Sequence, residues 1–280
     1  MSQSPLSVLW HKYSGEKPSA PLTIVCLHGF LASRISFDLI LPSLQKLGDV
    51  CTIDWPPFGE SEKPMRFQYS TSSIAQTIAA VIEHVPTPLL LFGHSMGGQL
   101  ALRLASLPQV KPKVVGVVTA ASSGYMERFP RKLRALTYLP FASYIAQKRL
   151  EKTGVRGNLE VVLHDQRHIT EELIRAYEAP FQQRRIFQGI LRMVRHREAD
   201  LSTAELRNIK APVLLLYGKH DRVIRETVVQ RFATDLPNAT TSPIEAGHLI
   251  LEEQPIESFH RLVDWMHKTP SLTSFVHDIS

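Results

Sequence analysis

Leu89-Leu90-Leu91-Phe92-Gly93-His94-Ser95-Met96-Gly97-Gly98-Gln99-Leu100-Ala101 is the stretch that decides the fold. It opens as a short, continuous apolar run, the pattern of a strand buried on both faces. It passes through Gly-His-Ser-Met-Gly and continues to Ala105 as a helix former. Strand, Gly-x-Ser-x-Gly, helix is the context of a nucleophile elbow. The turn is so tight that side chains at positions 93 and 97 would meet neighbouring backbone, and Ser95 is expected in a strained conformation. Its hydroxyl would then stand at a helix N-terminus, where backbone amides favour negative charge.

The 280 residues are enough for a substantial core. Hydrophobic residues make up 44% and charged residues 21%, the balance of a soluble globular protein. Met1–Pro5 opens no signal sequence, and no apolar run approaches the ~20 residues needed to span a bilayer. A cytoplasmic protein is therefore expected. Cys26 and Cys51 each sit in an apolar run and read as buried free thiols. No Cys/His spacing suits zinc and no Gly-rich phosphate loop appears, so neither metal nor organic cofactor is expected. Nucleic-acid binding is not expected either. The net charge of +6 is uneven: residues 121–210 hold 17 Lys and Arg against 10 Asp and Glu, leaving −1 for the remainder.

Before the elbow, the pattern predicts strands over 7–13, 22–27 and 50–54, a turn over 15–21, and helices over 36–47 and 71–84. Beyond it, strands are predicted at 114–118, 212–218 and 239–244, with helices over 223–236 and 256–267 and a tail from 270. Alternating strands and helices with short connections imply an α/β fold, a doubly wound, mostly parallel sheet. Between Met126 and Asp200 the alternation stops and only helical segments are legible. That block reads as a helical cap inserted over the strand C-termini, with the core formed by residues 1–121 and 206–280 and the cap by 122–205. The alternative is that these helices simply enlarge the core.

Ser95 needs a base, because a serine hydroxyl is a weak nucleophile near neutrality. Of twelve histidines, His94 is locked inside the elbow, and His164, His168 and His196 lie in the helical block. His248 follows the last strand in a loop, and Gly247 before it frees the backbone to aim the ring. The orienting carboxylate should come from a nearby strand end. Asp221 follows Leu214–Gly218, whereas the strand ending near Val118 is followed by no acid before Glu127.

The order Ser95, Asp221, His248 and the motifs around it resemble the capped, esterase-like members of the α/β-hydrolase superfamily over roughly residues 7–268. Asp54-Trp55-Pro56-Pro57-Phe58-Gly59-Glu60-Ser61 is similar to the family's Asp-x-Pro-Gly-x-Gly-x-Ser loop, with Pro57 where Gly is usual. Ala246-Gly247-His248, with Glu252 and Pro255 after it, resembles the family's histidine loop. The resemblance implies that His28-Gly29-Phe30 supplies an oxyanion hole, from the amides of Phe30 and Met96. Such donors contribute about 3–4 kcal/mol each to a transition state. Serine at the elbow argues against the dehalogenase and epoxide hydrolase branches, which carry aspartate there.

The resemblance implies hydrolysis of a small-molecule carboxylic ester or thioester through an acyl-enzyme on Ser95. Relatives with the same triad also include carbon–carbon bond hydrolases, amide hydrolases, perhydrolases, a menaquinone-pathway lyase and non-catalytic ligand-binding receptors. In the cap, Leu133, Leu136, Tyr138, Phe141, Tyr144, Ile186, Phe187 and Ile190 either line an apolar acyl pocket or pack cap helices together. Its excess arginines either form solvated faces or meet an acidic acyl carrier.

Overall fold

Alternate residues along each strand belong to opposite faces, and here both faces are apolar. Val25, Leu27, Leu89, Leu91, Val117, Val213 and Leu215 enter one core layer. Their neighbours Ile24, Cys26, Leu90, Phe92, Val118, Leu214 and Leu216 enter the other. The result, in a computed structural model that describes residues 9–16, 22–183 and 185–276, is a seven-stranded sheet with helices on both sides. Its strands are β1 (Leu9–Tyr13), β2 (Thr23–Leu27), β3 (Asp49–Asp54), β4 (Leu89–His94), β5 (Val114–Ala120), β6 (Val213–Gly218) and β7 (Ala239–Ile244). Their order is β1-β3-β2-β4-β5-β6-β7, with β1 antiparallel to β3 and every other pair parallel. The order reverses between β2 and β4, so the loops after these two strands frame the crevice where open α/β sheets bind ligands. Positions 7, 8, 17–21 and 277–280, which hold parts of the expected first strand, turn and tail, lie outside the described residues.

The helices are α1 (Leu41–Leu44), α2 (Thr71–Ile82), α3 (Met96–Ser106), α4 (Arg131–Leu136), α5 (Ala142–Val162), α6 (Glu171–Glu178), α7 (Ile186–His196), α8 (Thr203–Arg207), α9 (Glu226–Asp235), α10 (Ile250–Glu253) and α11 (Pro255–Lys268). None of them is long and apolar enough to cross a membrane. Three expectations need correction. The helix expected over 36–47 is a 3-10 turn at Arg34–Phe37 followed by α1. A continuous helix would set the Pro42 ring against the carbonyl of Asp38 and lose a hydrogen bond. The helix expected from Val223 starts at Glu226, because the Asp221 side chain holds residues 223 and 224 in a turn. The expected tail packs instead: Leu272 and Val276 are fully buried in the layer that contains Trp265.

Between β5 and β6 the described residues contain helices and turns but no strand. Three of the contacts that tie this segment to the rest of the chain involve Pro57 and α10. Gly189 of α7 lies against the Pro57 ring, and a Cβ there would collide with it. The chain's departure from the usual glycine at 57 is thus a seat for α7. The other two contacts are the adjacent glutamates of α10. Tyr177 of α6 donates a hydrogen bond to Glu252. The Glu253 carboxylate accepts from the amides of His164 (3.0 Å) and Asp165 (2.9 Å), just past α5.

Two consequences are measurable. Leu272→Ala is expected to lower unfolding stability by about 2–5 kcal/mol in urea titrations, as for other buried leucines; an unchanged midpoint would mean the tail does not pack. Burial raises the Glu252 carboxyl from 4.5 to about 7, against the opposing hydrogen bond from Tyr177. The folded form then keeps a proton that the unfolded form loses above 4.5, so this group's contribution to stability falls as pH rises from about 4.5 to 7. Glu252→Gln should flatten that decline by a few kcal/mol, at about 1.4 kcal/mol per unit of displacement. Parallel stability–pH curves for the two proteins would contradict it.

Candidate active site

The elbow is built by close backbone approach. A Cβ on Gly97 would run into the carbonyl oxygens of Leu27 and His28, and one on Gly93 into the carbonyl of Gly97. Ser95 joins β4 to α3 with φ 52° and ψ −118°, a region L-residues occupy at a cost of about 1–3 kcal/mol. Hydrogen bonds hold it there. Its amide donates to Ala120 O (2.8 Å), and its carbonyl accepts from the amides of Gly98 (2.9 Å) and Ser123 (3.2 Å).

From this turn Ser95 Oγ stands 3.0 Å from His248 Nε2, and His248 Nδ1 lies 2.8 Å from Asp221 Oδ2. The other oxygen of Asp221 accepts from the amides of Val223 (2.7 Å) and Ile224 (2.9 Å), which fixes the carboxylate, 1% exposed, toward the ring. A carboxylate can only accept, so Nδ1 carries the proton and Nε2 is left to accept from the serine hydroxyl. The structure therefore brings Ser95, Asp221 and His248 into one hydrogen-bonded chain.

Phe30 and Met96 both flank Ser95, lining the second chamber together with it. Met96 is the first residue of α3, whose leading amides have no acceptor within the helix. Among the described residues the Phe30 amide donates to no backbone acceptor. Its loop passes so close that a Cβ on Gly29 would sit 3.1 Å from both Ser95 Cβ and His94 Nδ1. His28 braces this loop: its buried ring stacks on Trp55 at 4.9 Å, Nδ1 donates to Gly29 O (2.8 Å), and Trp55 Nε1 donates to His28 O (3.0 Å). Burial lowers the His28 pKa, against the opposing pull of Asp54. Asp54 anchors the loop that carries Pro57. Asp54 accepts from the amides of Arg34 (2.7 Å) and Glu60 (2.9 Å), and a Cβ on Gly59, at φ 52°, would overlap its carboxylate.

Sequence reasoning missed several supporting groups. His94, set aside as too constrained to act as base, props His248: its Nε2 donates to the His248 carbonyl (2.9 Å). Burial, then the nearby His248, pushes its pKa down to about 3, so the ring is neutral. The His248 amide donates to Val162 O of α5 (2.7 Å), and Glu253 accepts from the Gly247 amide (2.7 Å). Glu253 is thus a bracket between the histidine loop and the end of α5. The only signal in the sequence was an acidic pair a few residues after the histidine. His220, near Asp221, instead stacks on His164 at 3.8 Å and contacts Glu245.

Two apolar chambers meet at Ser95, and Phe30 and Val223 line both. The first, about 320 Å³, lies on the His248 side, walled by Leu159 and Val162 of α5, Tyr177 and Phe181. The second, about 260 Å³, is lined by Met96, Tyr69, Phe129 and Met193. An outer cavity of about 300 Å³ shares Phe30, Leu150 and Phe181 with the first. The eight apolar residues considered as pocket lining need correction. Phe187 and Ile190 line the outer cavity, while Ile186 is buried. Leu133, Leu136, Tyr138, Phe141 and Tyr144 face solvent. Period and composition mark a helix as amphipathic, but not which neighbour its apolar face meets. Of the segment's arginines, Arg156, Arg167 and Arg197 are ion-paired to Glu171, Asp165 and Asp200.

Residues 23–255 match the family model described as the alpha/beta hydrolase fold. The chain is 39% identical over 236 residues to an uncharacterized hydrolase, YugF, of Bacillus subtilis, covering 83% of this chain and 85% of that one. It is 30% identical over 256 residues to the magnesium-chelatase 30 kDa subunit of Rhodobacter capsulatus, covering 89% and 88%. Among solved structures, a thermophilic esterase from Thermogutta terrifontis superposes with a TM-score of 0.75 at 18% identity, covering 95% of this chain and 96% of that one. With this sheet order, this elbow and a family match that spans most of its length, the chain belongs to the α/β-hydrolase fold family.

Proposed function

We propose that the protein hydrolyses a carboxylic ester or thioester through an acyl-enzyme on Ser95. The observation that carries this reading is the hydrogen-bonded chain Ser95–His248–Asp221 set where two apolar chambers meet. Ser95 Oγ bonds to the carbonyl carbon as its proton passes to His248 Nε2. The negative oxygen rests on the amides of Phe30 and Met96, and Asp221 holds the ring and stabilises its charged form. As the bond to the leaving group breaks, His248 returns that proton to it. Water then gives its hydroxyl to the acyl carbon and its proton to His248, and Ser95 leaves with a proton restored.

The chambers divide the substrate. The leaving group must depart toward the acid that protonates it, and His248 lines the first chamber but not the second. The first chamber accordingly takes the leaving group and the second the acyl group. Residues 122–205 act as a cap, because they supply nearly half of the first chamber's lining and keep water from the acyl-enzyme.

With a short p-nitrophenyl ester, Ser95→Ala and His248→Ala are each expected to lower kcat/KM by at least about 10³-fold, and Asp221→Asn by about 10³- to 10⁴-fold. Retention of activity in folded Ser95→Ala would overturn the proposal.

A further inference from the structure

The outward face of the helical segment has an unusual polarity. Phe141, which precedes α5, and the solvent-facing positions Tyr144, Ile145, Lys148 and Arg149 of that helix recur at the spacing of a single helix stripe. Phe141 is 78% exposed, Tyr144 57% and Ile145 61%. With Leu133, Leu136, Tyr138 and Leu139, seven of the fifteen exposed large hydrophobics of the described chain fall within residues 133–145. Scattered singly they would need no explanation, but concentrated like this they mark an interaction surface. Phe141 has φ 64°, a left-handed conformation that a bulky residue adopts only at a cost.

The charge of the same stretch is one-sided. Residues 128–150 contain Arg128, Arg131, Lys132, Arg134, Lys148 and Arg149, and no acid occurs between Glu127 and Glu151. Cations also lie over the aromatic rings: the Arg195 guanidinium is 4.1 Å from the Tyr138 ring, and Lys148 Nζ, which also reaches Glu151, is 5.7 Å from that of Tyr144. A partner for this face must accept aliphatic and aromatic side chains and present a dense field of negative charge beside them. The surface of an anionic bilayer does both, with acyl chains for the apolar groups and phosphates for the cations.

We infer that α4, the turn after it and the first half of α5 dock on the surface of an anionic lipid bilayer. The docking is interfacial and needs no span. The outer cavity beside the Ser95 chamber is lined by Ala146, Arg149 and Thr153 of the same helix. A docked molecule therefore holds the way into that chamber next to the lipid, and on the hydrolase reading its substrates include membrane-borne amphiphilic esters. The docking itself does not rest on that reading.

The test is co-sedimentation with vesicles, carried out on the Ser95→Ala protein so that binding is read without turnover. Vesicles of phosphatidylglycerol and phosphatidylcholine in equal parts should bind it about tenfold or more tightly than phosphatidylcholine alone, and added salt should weaken that binding. Further substitution with Phe141→Ser and Tyr144→Ser, or with Arg131→Glu and Lys132→Glu, should each cost about tenfold in partitioning with an unchanged circular dichroism spectrum. These positions are exposed, so neither pair disturbs the core. Absence of binding to the anionic vesicles, or binding that neither pair alters, overturns the inference. So does a sedimentation-velocity dimer that the Phe141→Ser, Tyr144→Ser pair converts to monomer while vesicles bind nothing, which would make the face a contact between copies.

Discussion

The structure depends on how closely backbone can approach backbone under the elbow. Gly97 lies directly on the carbonyls that end β2, and Gly93 on the carbonyl of Gly97. Only without side chains there can α3 turn back across β2 and β4 at the point where the sheet order reverses. The strain at Ser95 follows from the same closeness. It is sustained because the flanking strand and helix are buried and both backbone groups of Ser95 are bonded. This contact also sets the Gly29–Phe30 loop beside Ser95, so the serine and that loop are placed by one constraint rather than two.

His248 is placed from the opposite direction. His248 is held by Asp221 at its ring, by His94 at its carbonyl and by Val162 at its amide. Val162 belongs to α5, which also walls the first chamber, and Glu253 ties the end of that helix to the residue before His248. The wall of the chamber and the position of the imidazole are therefore parts of one hydrogen-bonded unit. A buried carboxylate accepting three backbone amides is a stiff connection, since each lost bond would leave a desolvated polar group. Glu252 beside it makes a softer one, because its buried carboxyl holds a proton across part of the neutral range.

Much of this was legible in the sequence, for identifiable reasons. Continuous apolar runs, turn residues and a Gly-x-Ser-x-Gly flanked by strand and helix are local signals, and the parallel core follows from them. Asp221 and His248 were legible because each lies in the loop after a strand, and loops at the same end of a parallel sheet converge. The break of the helix at Pro42 was missed because the apolar spacing of Phe37, Leu41 and Leu44 continues across it. Glu253, His94 and Val162 act through a backbone atom or on one, and main-chain partners leave no residue pattern. The chamber walls were illegible for a related reason. Phe141 and Phe187 look alike in sequence, yet one faces solvent and the other a cavity, and only the packing of α5 against α7 separates them.

The most direct test of the central claim is to label the folded protein with a fluorophosphonate and map the modified peptide by mass spectrometry. One adduct on Ser95 is predicted, formed at a rate that falls by orders of magnitude when His248 is replaced by alanine. A folded protein that takes no label, or takes it on another residue while Ser95 stays free, would contradict the account.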